Sequence, residues 1–445
     1  MDRKDFIKNS GLISLGLLLP STLWSSCRRD SLLDELRYDG KVLIIGAGAA
    51  GLYAGYILKS RGIAFQIVEA GDRIGGRLAK LEGFADYPLD LGAQWLHGKN
   101  SIVGDLIAKT QTPITLDNSE LTFWYQGNRV SNLPKDIQIF EGDNKPDISY
   151  QAYAQQQGFG DDYTHIVEAI AGDQGAAASR LSVYYNNLEE AEWNSGDQDY
   201  KFRNTFFDLI NTHIASEIQD AIVLNAPIHR VEYSQSGVVF TGFDGQQYTG
   251  DKAIITAPIS ILKRNDIQFI PELPIAKTTA FSKIGMDAGM KVFLKFSDSF
   301  FDENIIGGSI CAAYADERVG KSSSEPILLA FVMGEQAEYL TSLGTDAAIV
   351  AALLQELDSM YSGRASATFV KAHVENWTLH PYIRGAYSYS TVGMGDARKV
   401  AAQPIDNTLF FAGEAMNING HHQTVHGAVE TGYIAVMQIL EALKQ

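Results

Sequence analysis

The spacing of apolar residues along this 445-residue chain changes period several times, and the first change is the most informative. Residues 41–45 form a short apolar run rich in β-branched side chains. The run breaks at Gly46, and small residues then lead into apolar positions of helical spacing through residue 57, a pattern that predicts strand, tight turn and helix. A second apolar strand, 64–68, follows Arg61-Gly62 and ends at Glu69. Farther on, residues 161–170, 181–190 and 206–222 carry the spacing of amphipathic helices. Stretches at 228–233, 238–243, 253–258, 291–296 and 327–332 predict strands, with a turn at Gly245, and residues 346–360 predict a helix. Residues 316–325, rich in charge and serine, predict a surface loop. No internal repeat is visible.

The first junction reads Gly46-Ala47-Gly48-Ala49-Ala50-Gly51, which fits a dinucleotide-binding turn. In such a turn Gly46 permits the tight bend and Gly48 lets the backbone approach a pyrophosphate. Gly51 lets the helix pack close on the strand, and the unpaired N–H groups at the helix start, beside Ala50, face the phosphates. Glu69, at the end of the second strand, is placed to accept ribose hydroxyls. The rival is a glycine-rich turn in an ordinary α/β unit, and the second strand with its terminal acid favours the dinucleotide.

Length suggests two or three domains with a large core. With 53 acidic and 36 basic residues the formal charge is −17, which argues against a nucleic-acid partner and favours the approach of cationic small molecules. Two cysteines, Cys27 and Cys311, supply neither a disulfide framework nor a metal-ligand spacing, and no metal is expected. Residues 1–27 have the layout of an export signal. Arg3 and Lys4 precede Asp5-Phe6-Ile7-Lys8, an apolar stretch too short to span a bilayer runs from 11 to 19, and small and polar residues lead to Cys27. The basic part is similar to a twin-arginine signal, and Leu23-Trp24-Ser25-Ser26-Cys27 is similar to a lipoprotein box. The expected location is therefore the bacterial periplasm or a membrane anchored through a lipid on Cys27.

After Glu69 the chain reads Ala70-Gly71-Asp72-Arg73-Ile74-Gly75-Gly76-Arg77, then Leu89-Asp90-Leu91-Gly92-Ala93-Gln94-Trp95-Leu96-His97-Gly98. These blocks resemble the fingerprints of FAD-dependent amine oxidases, in the branch of polyamine and spermine oxidases related to monoamine oxidase and the flavin lysine demethylases. The resemblance implies an α/β fold: a Rossmann-like FAD-binding domain from discontinuous segments, 38–98, 224–273 and 385–445, and an α+β substrate-binding domain with a mixed sheet, 99–223 and 274–384. It places Arg77 beside the flavin, with Gly92, Ala93, Gln94 and Trp95 adjacent to it. The backbone of Ile228 would contact the adenine, and Glu414, in Leu409-Phe410-Phe411-Ala412-Gly413-Glu414, would lie near the pyrophosphate. Thr424 and Val425 would open the final helix toward the pyrimidine ring, where a positive dipole end suits the charge of a reduced flavin.

The same resemblance nominates catalytic residues. Lys291 matches the lysine that holds a water against the flavin's reactive nitrogen, and an inward lysine is costly to bury without such a role. Lys295 serves as the contrast, an edge-strand lysine facing solvent. Trp377 and Tyr387 match aromatic positions lining the substrate channel, and His97 matches a histidine that could bond an amine nitrogen or accept its proton. Ala386 stands where monoamine oxidases place the cysteine bonded to flavin, implying non-covalent FAD. Thr424 stands where a second aromatic is common, implying a cage open on one side. The glycine pair usual after 192–200 appears as Asn204-Thr205, and His421 and His422 read as polar loop residues.

The expected reaction is hydride transfer from an amine to FAD, imine hydrolysis to aldehyde, and reoxidation by dioxygen to hydrogen peroxide. Three alternatives stand beside it: an L-amino-acid oxidase, with Arg384 as the candidate carboxylate ligand, an amine dehydrogenase with a partner acceptor, and a non-catalytic flavin-binding protein.

Overall fold

The computed structural model describes residues 38–443. The export-signal and Cys27 readings fall on residues 1–27, outside the described residues. Among the described residues no helix is long and apolar enough to cross a membrane.

One half of the molecule is built on a five-stranded parallel sheet in the order Ile222–Val223, Ala64–Val68, Lys41–Ile45, Lys252–Ile255, Leu409–Phe411. Its central strand is covered on both faces, which is why residues 42–45 are continuously apolar and buried. One face meets the helices Ala49–Ser60 and Val425–Ala442, whose crossing is so close that a Cβ on Gly432 would lie 2.3 Å from the Ala50 carbonyl oxygen. The second half holds a seven-stranded sheet in the order Phe369–Asn376, Gly289–Phe296, Ile327–Met333, Ala313–Asp316, Asn304–Ile306, Leu121–Tyr125, Asn128–Val130. Helix Asp346–Tyr361 covers one face with Ile349, Leu353 and Leu357, packed against Met290, Val292 and Leu294. The alternation of a strand therefore turns Lys291, Phe293 and Lys295 to the other face, toward the parallel-sheet half.

Several sequence expectations are corrected. The predicted helix 206–222 stops at His213 and continues as two 3-10 turns, Ala215–Glu217 and Gln219–Ala221, because Ile214 and Ile218 leave helical geometry with φ near −125°. It is capped by Thr205, whose hydroxyl accepts from the Asp208 N–H at 3.1 Å, so the Asn204-Thr205 departure makes a helix start. This helix and Ile102–Thr110 both bury their apolar faces in the core of the parallel-sheet half, and Ile222–Val223 pairs into that sheet, so segment 99–223 is shared between the two halves. Lys295 lies on an inner strand, is 17% exposed and pairs with Glu325 at 2.5 Å. The 316–325 segment is not a simple surface loop: Asp316 and Glu317 are 4% and 2% exposed, and Lys321 donates to the carbonyls of Phe202 and Asn204. His421 and His422 are polar loop residues that the structure buries, held by Glu430 at 2.8 Å and Glu189 at 3.1 Å.

Candidate active site

A cleft of about 540 Å³ runs between the two halves, from the end of the first strand to the face of the seven-stranded sheet. At its first end the turn is shaped as the glycines require. Gly46 has φ +98°, and a Cβ on Gly51 would stand 2.0 Å from the Gly46 carbonyl oxygen and 3.2 Å from the Thr256 hydroxyl oxygen. A Cβ on Gly48 would meet nothing within 4 Å, so the space beside that backbone belongs to the cleft. Gly48 caps the helix Ala49–Ser60 without a side-chain bond, leaving the N–H groups of the first turn, that of Ala50 among them, unsatisfied by any cap. Glu69 accepts from the N–H of Ala47 at 2.6 Å and of Gly71 at 2.8 Å, which anchors its carboxylate at the rim of the same cleft.

The middle of the cleft is fixed by a buried carboxylate. Glu414 accepts from Arg77 at 2.8 Å, from the Ser388 hydroxyl at 2.7 Å and from the Gln423 N–H at 2.9 Å. Burial alone would favour the acid, but the Arg77 guanidinium and these hydrogen bonds hold it below the usual carboxylate range. Arg77 also donates to the Ala386 carbonyl. Gly92, Ala93, Ile228 and Val425 complete the walls. Thr424 lies on the wall with its hydroxyl committed to the final helix: it accepts from the Gly427 N–H at 2.9 Å and donates to the His421 carbonyl at 2.8 Å.

At the far end stands the face of the seven-stranded sheet that carries Lys291. Register aligns Ile306, Ala313, Phe331 and Lys291 across four strands, so one face presents a largely apolar floor with a single ammonium. Lys291 is 2% exposed, and its three hydrogens are taken by the carbonyls of Asp90 and Gly92, each at 2.8 Å, and by Oε1 of Gln94. Burial lowers its pKa, while the carboxylates of Glu317 and Asp90 work in the opposite direction. Protein acceptors thus hold the ammonium on three sides and fix where it stands in the cleft.

Other candidates are brought to the same cleft. His97 joins Asp199 through Nδ1 at 2.7 Å, leaving Nε2 as its other ring nitrogen. Trp95 donates to Asp117 at 2.8 Å. Trp377 donates to the Leu91 carbonyl at 2.9 Å, so its polar edge is spent on the protein and it contributes a wall. Tyr387 donates to the Asp173 carbonyl at 2.9 Å and packs its ring over Gly175. Arg384, the candidate carboxylate ligand, is instead paired with Asp266 at 2.7 Å. Among the described residues no cluster of His, Cys, Asp or Glu is arranged to hold a metal ion.

A family model described as flavin containing amine oxidoreductase matches residues 49–148 and 206–440. The chain belongs to this family. FAD is the cofactor that membership implies, and the open space at Gly48, the uncapped helix start and the Arg77–Glu414 pair fit it. A similar curated protein is lysine-specific histone demethylase 2 of Homo sapiens, 26% identical over 471 residues, covering 96% of this chain and 56% of the relative. The chain thus spans little more than half the length of that relative. Polyamine oxidase 4 of Oryza sativa subsp. japonica is 27% identical over 465 residues, covering 94% of this chain and 90% of the relative. Among solved structures, putrescine oxidase bound to putrescine superposes with a TM-score of 0.78 at 19% identity, covering 92% of this chain and all of the other. Cyclohexylamine oxidase from Brevibacterium oxydans IH-35A gives 0.77 at 21% identity over the same share of this chain. These two likenesses show the fold.

Sequence reasoning missed Glu317, Gln423, Phe331 and Thr256. Phe331 could have been found from period-two alternation once its strand was aligned with that of Lys291. Gln423 has φ +69° and ties the halves together by donating a hydrogen bond from its side-chain Nε2 to the Gln174 carbonyl at 2.8 Å, a role with no local signature.

Proposed function

We propose that this protein oxidises a primary or secondary amine, of the polyamine or simpler kind, to an imine that hydrolyses to aldehyde. Dioxygen is the terminal oxidant and becomes hydrogen peroxide. The observation that carries the reading is the apolar, aromatic-walled end of the cleft at the sheet face that carries Lys291. Bound FAD would supply the hydride acceptor for the carbon–hydrogen bond beside the nitrogen. The chain's own residues orient and exclude water. Phe331, Trp95, Tyr387 and Trp377 form walls that suit an amine by packing and by their ring quadrupoles. The His97–Asp199 pair can take a proton from the substrate nitrogen, so that the neutral amine, with a free lone pair, reaches the reacting position. Lys291 would hold a fixed positive charge beside bound FAD, suited to the negative charge that two added electrons bring.

The relatives named for polyamine and putrescine oxidation support the amine class. Commitment of Arg384 to Asp266 speaks against an amino-acid substrate. The reading is tested by anaerobic mixing with an amine and with its analogue bearing a carboxylate on the reacting carbon: the amine is expected to bleach the flavin and the analogue to leave it yellow.

We propose further that FAD is held without a covalent bond. Ala386 lines the cleft where a thiol could attach, and the cysteine among the described residues, Cys311, is buried in the core on the other face of the seven-stranded sheet. Acid precipitation is therefore expected to leave the yellow colour in the supernatant; colour retained in the washed pellet contradicts this. Export, with or without a lipid on Cys27, is proposed from residues 1–27 alone.

A further inference from the structure

Behind Lys291 lies a group of buried charges that the proposed reaction does not by itself explain. Glu317 stands one residue past the strand Ala313–Asp316, where its own N–H donates to the Ile327 carbonyl at 3.0 Å and holds the chain inward. The next residue folds back, its N–H on the Asp316 carboxylate at 2.9 Å. The Glu317 side chain is 2% exposed, and its Oε1 accepts from Nε2 of Gln94 at 2.9 Å. The other end of the Gln94 amide, Oε1, accepts from the Lys291 ammonium. Lys201, 3% exposed, places its Nζ 3.8 Å from the same Glu317 oxygen.

The chemistry of an amide makes this chain directional. A glutamine side chain presents a donor at one end and an acceptor at the other, and either may face a given neighbour. Glu317 is acceptor-only when ionised, so it takes the NH2 end and turns the carbonyl oxygen to Lys291. Without that carboxylate the amide is free to flip and set its NH2 against the ammonium, which repels it. A buried carboxylate normally drifts toward the neutral acid, yet Lys201, Lys291 and the Gln94 bond hold Glu317 below the usual range.

We propose that Glu317 is a positioning residue: acting through Gln94, it fixes where the Lys291 ammonium stands and keeps it charged at the flavin. This rests on the reading that Lys291 faces the flavin. The groups facing Lys291 are few. Asp90 and Glu317 favour its charge, Lys201 and Lys321 oppose it, and Glu375 is its register partner on the neighbouring strand. Trp95 and Phe293 add ring faces at 5.8 Å and 5.6 Å. Of the two carboxylates that favour the charge, Asp90 is turned to the Phe206 N–H at 2.9 Å, and Glu317 alone bridges to the ammonium through a side chain.

The test measures the midpoint potential of bound FAD against pH in the FAD-loaded protein, for wild type, Glu317→Gln, Glu317→Asp, Gln94→Met, Lys291→Met and the double variant Glu317→Gln/Lys291→Met. A charged Lys291 stabilises reduced flavin, so wild type is expected to show a break in slope where the lysine loses its proton, and Lys291→Met to lack it. In Glu317→Gln the break moves to lower pH by about one unit, a tenfold change in acidity, because the anion favouring the ammonium is gone. Gln94→Met moves it in the same direction while leaving both charges in place, and so serves if Glu317→Gln does not fold. Glu317→Asp restores part of the shift. The double variant matches Lys291→Met alone. A break unmoved in both Glu317→Gln and Gln94→Met, or a shift that persists without Lys291, overturns the proposal. The potentials need no substrate, so failure of every amine to bleach the flavin would remove the amine reading and leave this result standing.

Discussion

A Gly48→Val protein is expected to fold normally and to purify colourless. Gly48 has φ −77° and ψ −179°, extended backbone that valine adopts readily, and no protein atom lies within 4 Å of the Cβ position. The valine therefore costs the fold little. Its methyl groups enter the space through which a pyrophosphate reaches the helix start, and displacing that contact is expected to weaken FAD binding by about 100-fold or more, near 2.7 kcal/mol. Gly51→Val differs in kind, because its Cβ would lie 2.0 Å from the Gly46 carbonyl oxygen and the turn itself must give way. The ratio of flavin to protein absorbance, read beside a thermal melt of the apoprotein, separates the two. A Gly48→Val protein that keeps a full complement of FAD contradicts the assignment of the turn.

Lys291→Met is expected to keep its FAD and to lose most of the flavin's reactivity with dioxygen. The substitution preserves length and removes the only charge on the cavity floor formed by Ile306, Ala313, Phe331 and Lys291. Preorganised charges of this kind contribute about 100-fold or more to rate when removed singly. The pH dependence has a definite sign. Burial lowers the Lys291 pKa, so the ammonium is present at low pH and is lost as pH rises through that lowered value, earlier than for an exposed lysine. Oxidation of pre-reduced wild-type flavin should therefore slow toward alkaline pH, while Lys291→Met is slow throughout and flat. Stopped-flow mixing with dioxygen across pH measures this. A variant as fast as wild type removes Lys291 from the chemistry.

The local parts of the fold were legible and the nonlocal parts were not. The turn at residues 46–51 and the strand ending at Glu69 are written in consecutive residues, because a tight bend and a close helix contact each demand glycine at a fixed offset. The strand of Lys291 was also readable, yet the company of Lys295 was not. Whether a lysine on a strand is at an edge depends on which strands pair with it, and Gly289–Phe296 lies between Ile327–Met333 and Phe369–Asn376, both distant in sequence. The helix ending at His213 shows the reverse error, in which apolar spacing continued past the point where the backbone turned.

The least legible part of the site was the 316–325 segment. Its composition is that of a solvated loop, and composition does not reveal that Lys201 and Lys291, on two strands distant in sequence, meet its Glu317. A buried carboxylate becomes affordable only when such cations meet it, and that meeting is a property of the assembled halves. The burial of the loop residues His421 and His422 was hidden for the same reason, since Glu430 and Glu189 reach them from two separate helices. Arg384 looked available in sequence and is held by Asp266, a partner distant along the chain.

The central claim is that the aromatic-walled end of the cleft at Lys291 delivers amines to a bound flavin. Anaerobic mixing of the FAD-loaded protein with a panel of diamine, polyamine, cycloalkyl and arylalkyl amines, each beside its carboxylated analogue, tests it most directly. Loss of flavin absorbance with at least one amine, and none with the analogue of that amine, is expected. A flavin that dithionite bleaches but every amine leaves yellow, or one bleached only by the carboxylated compounds, contradicts it.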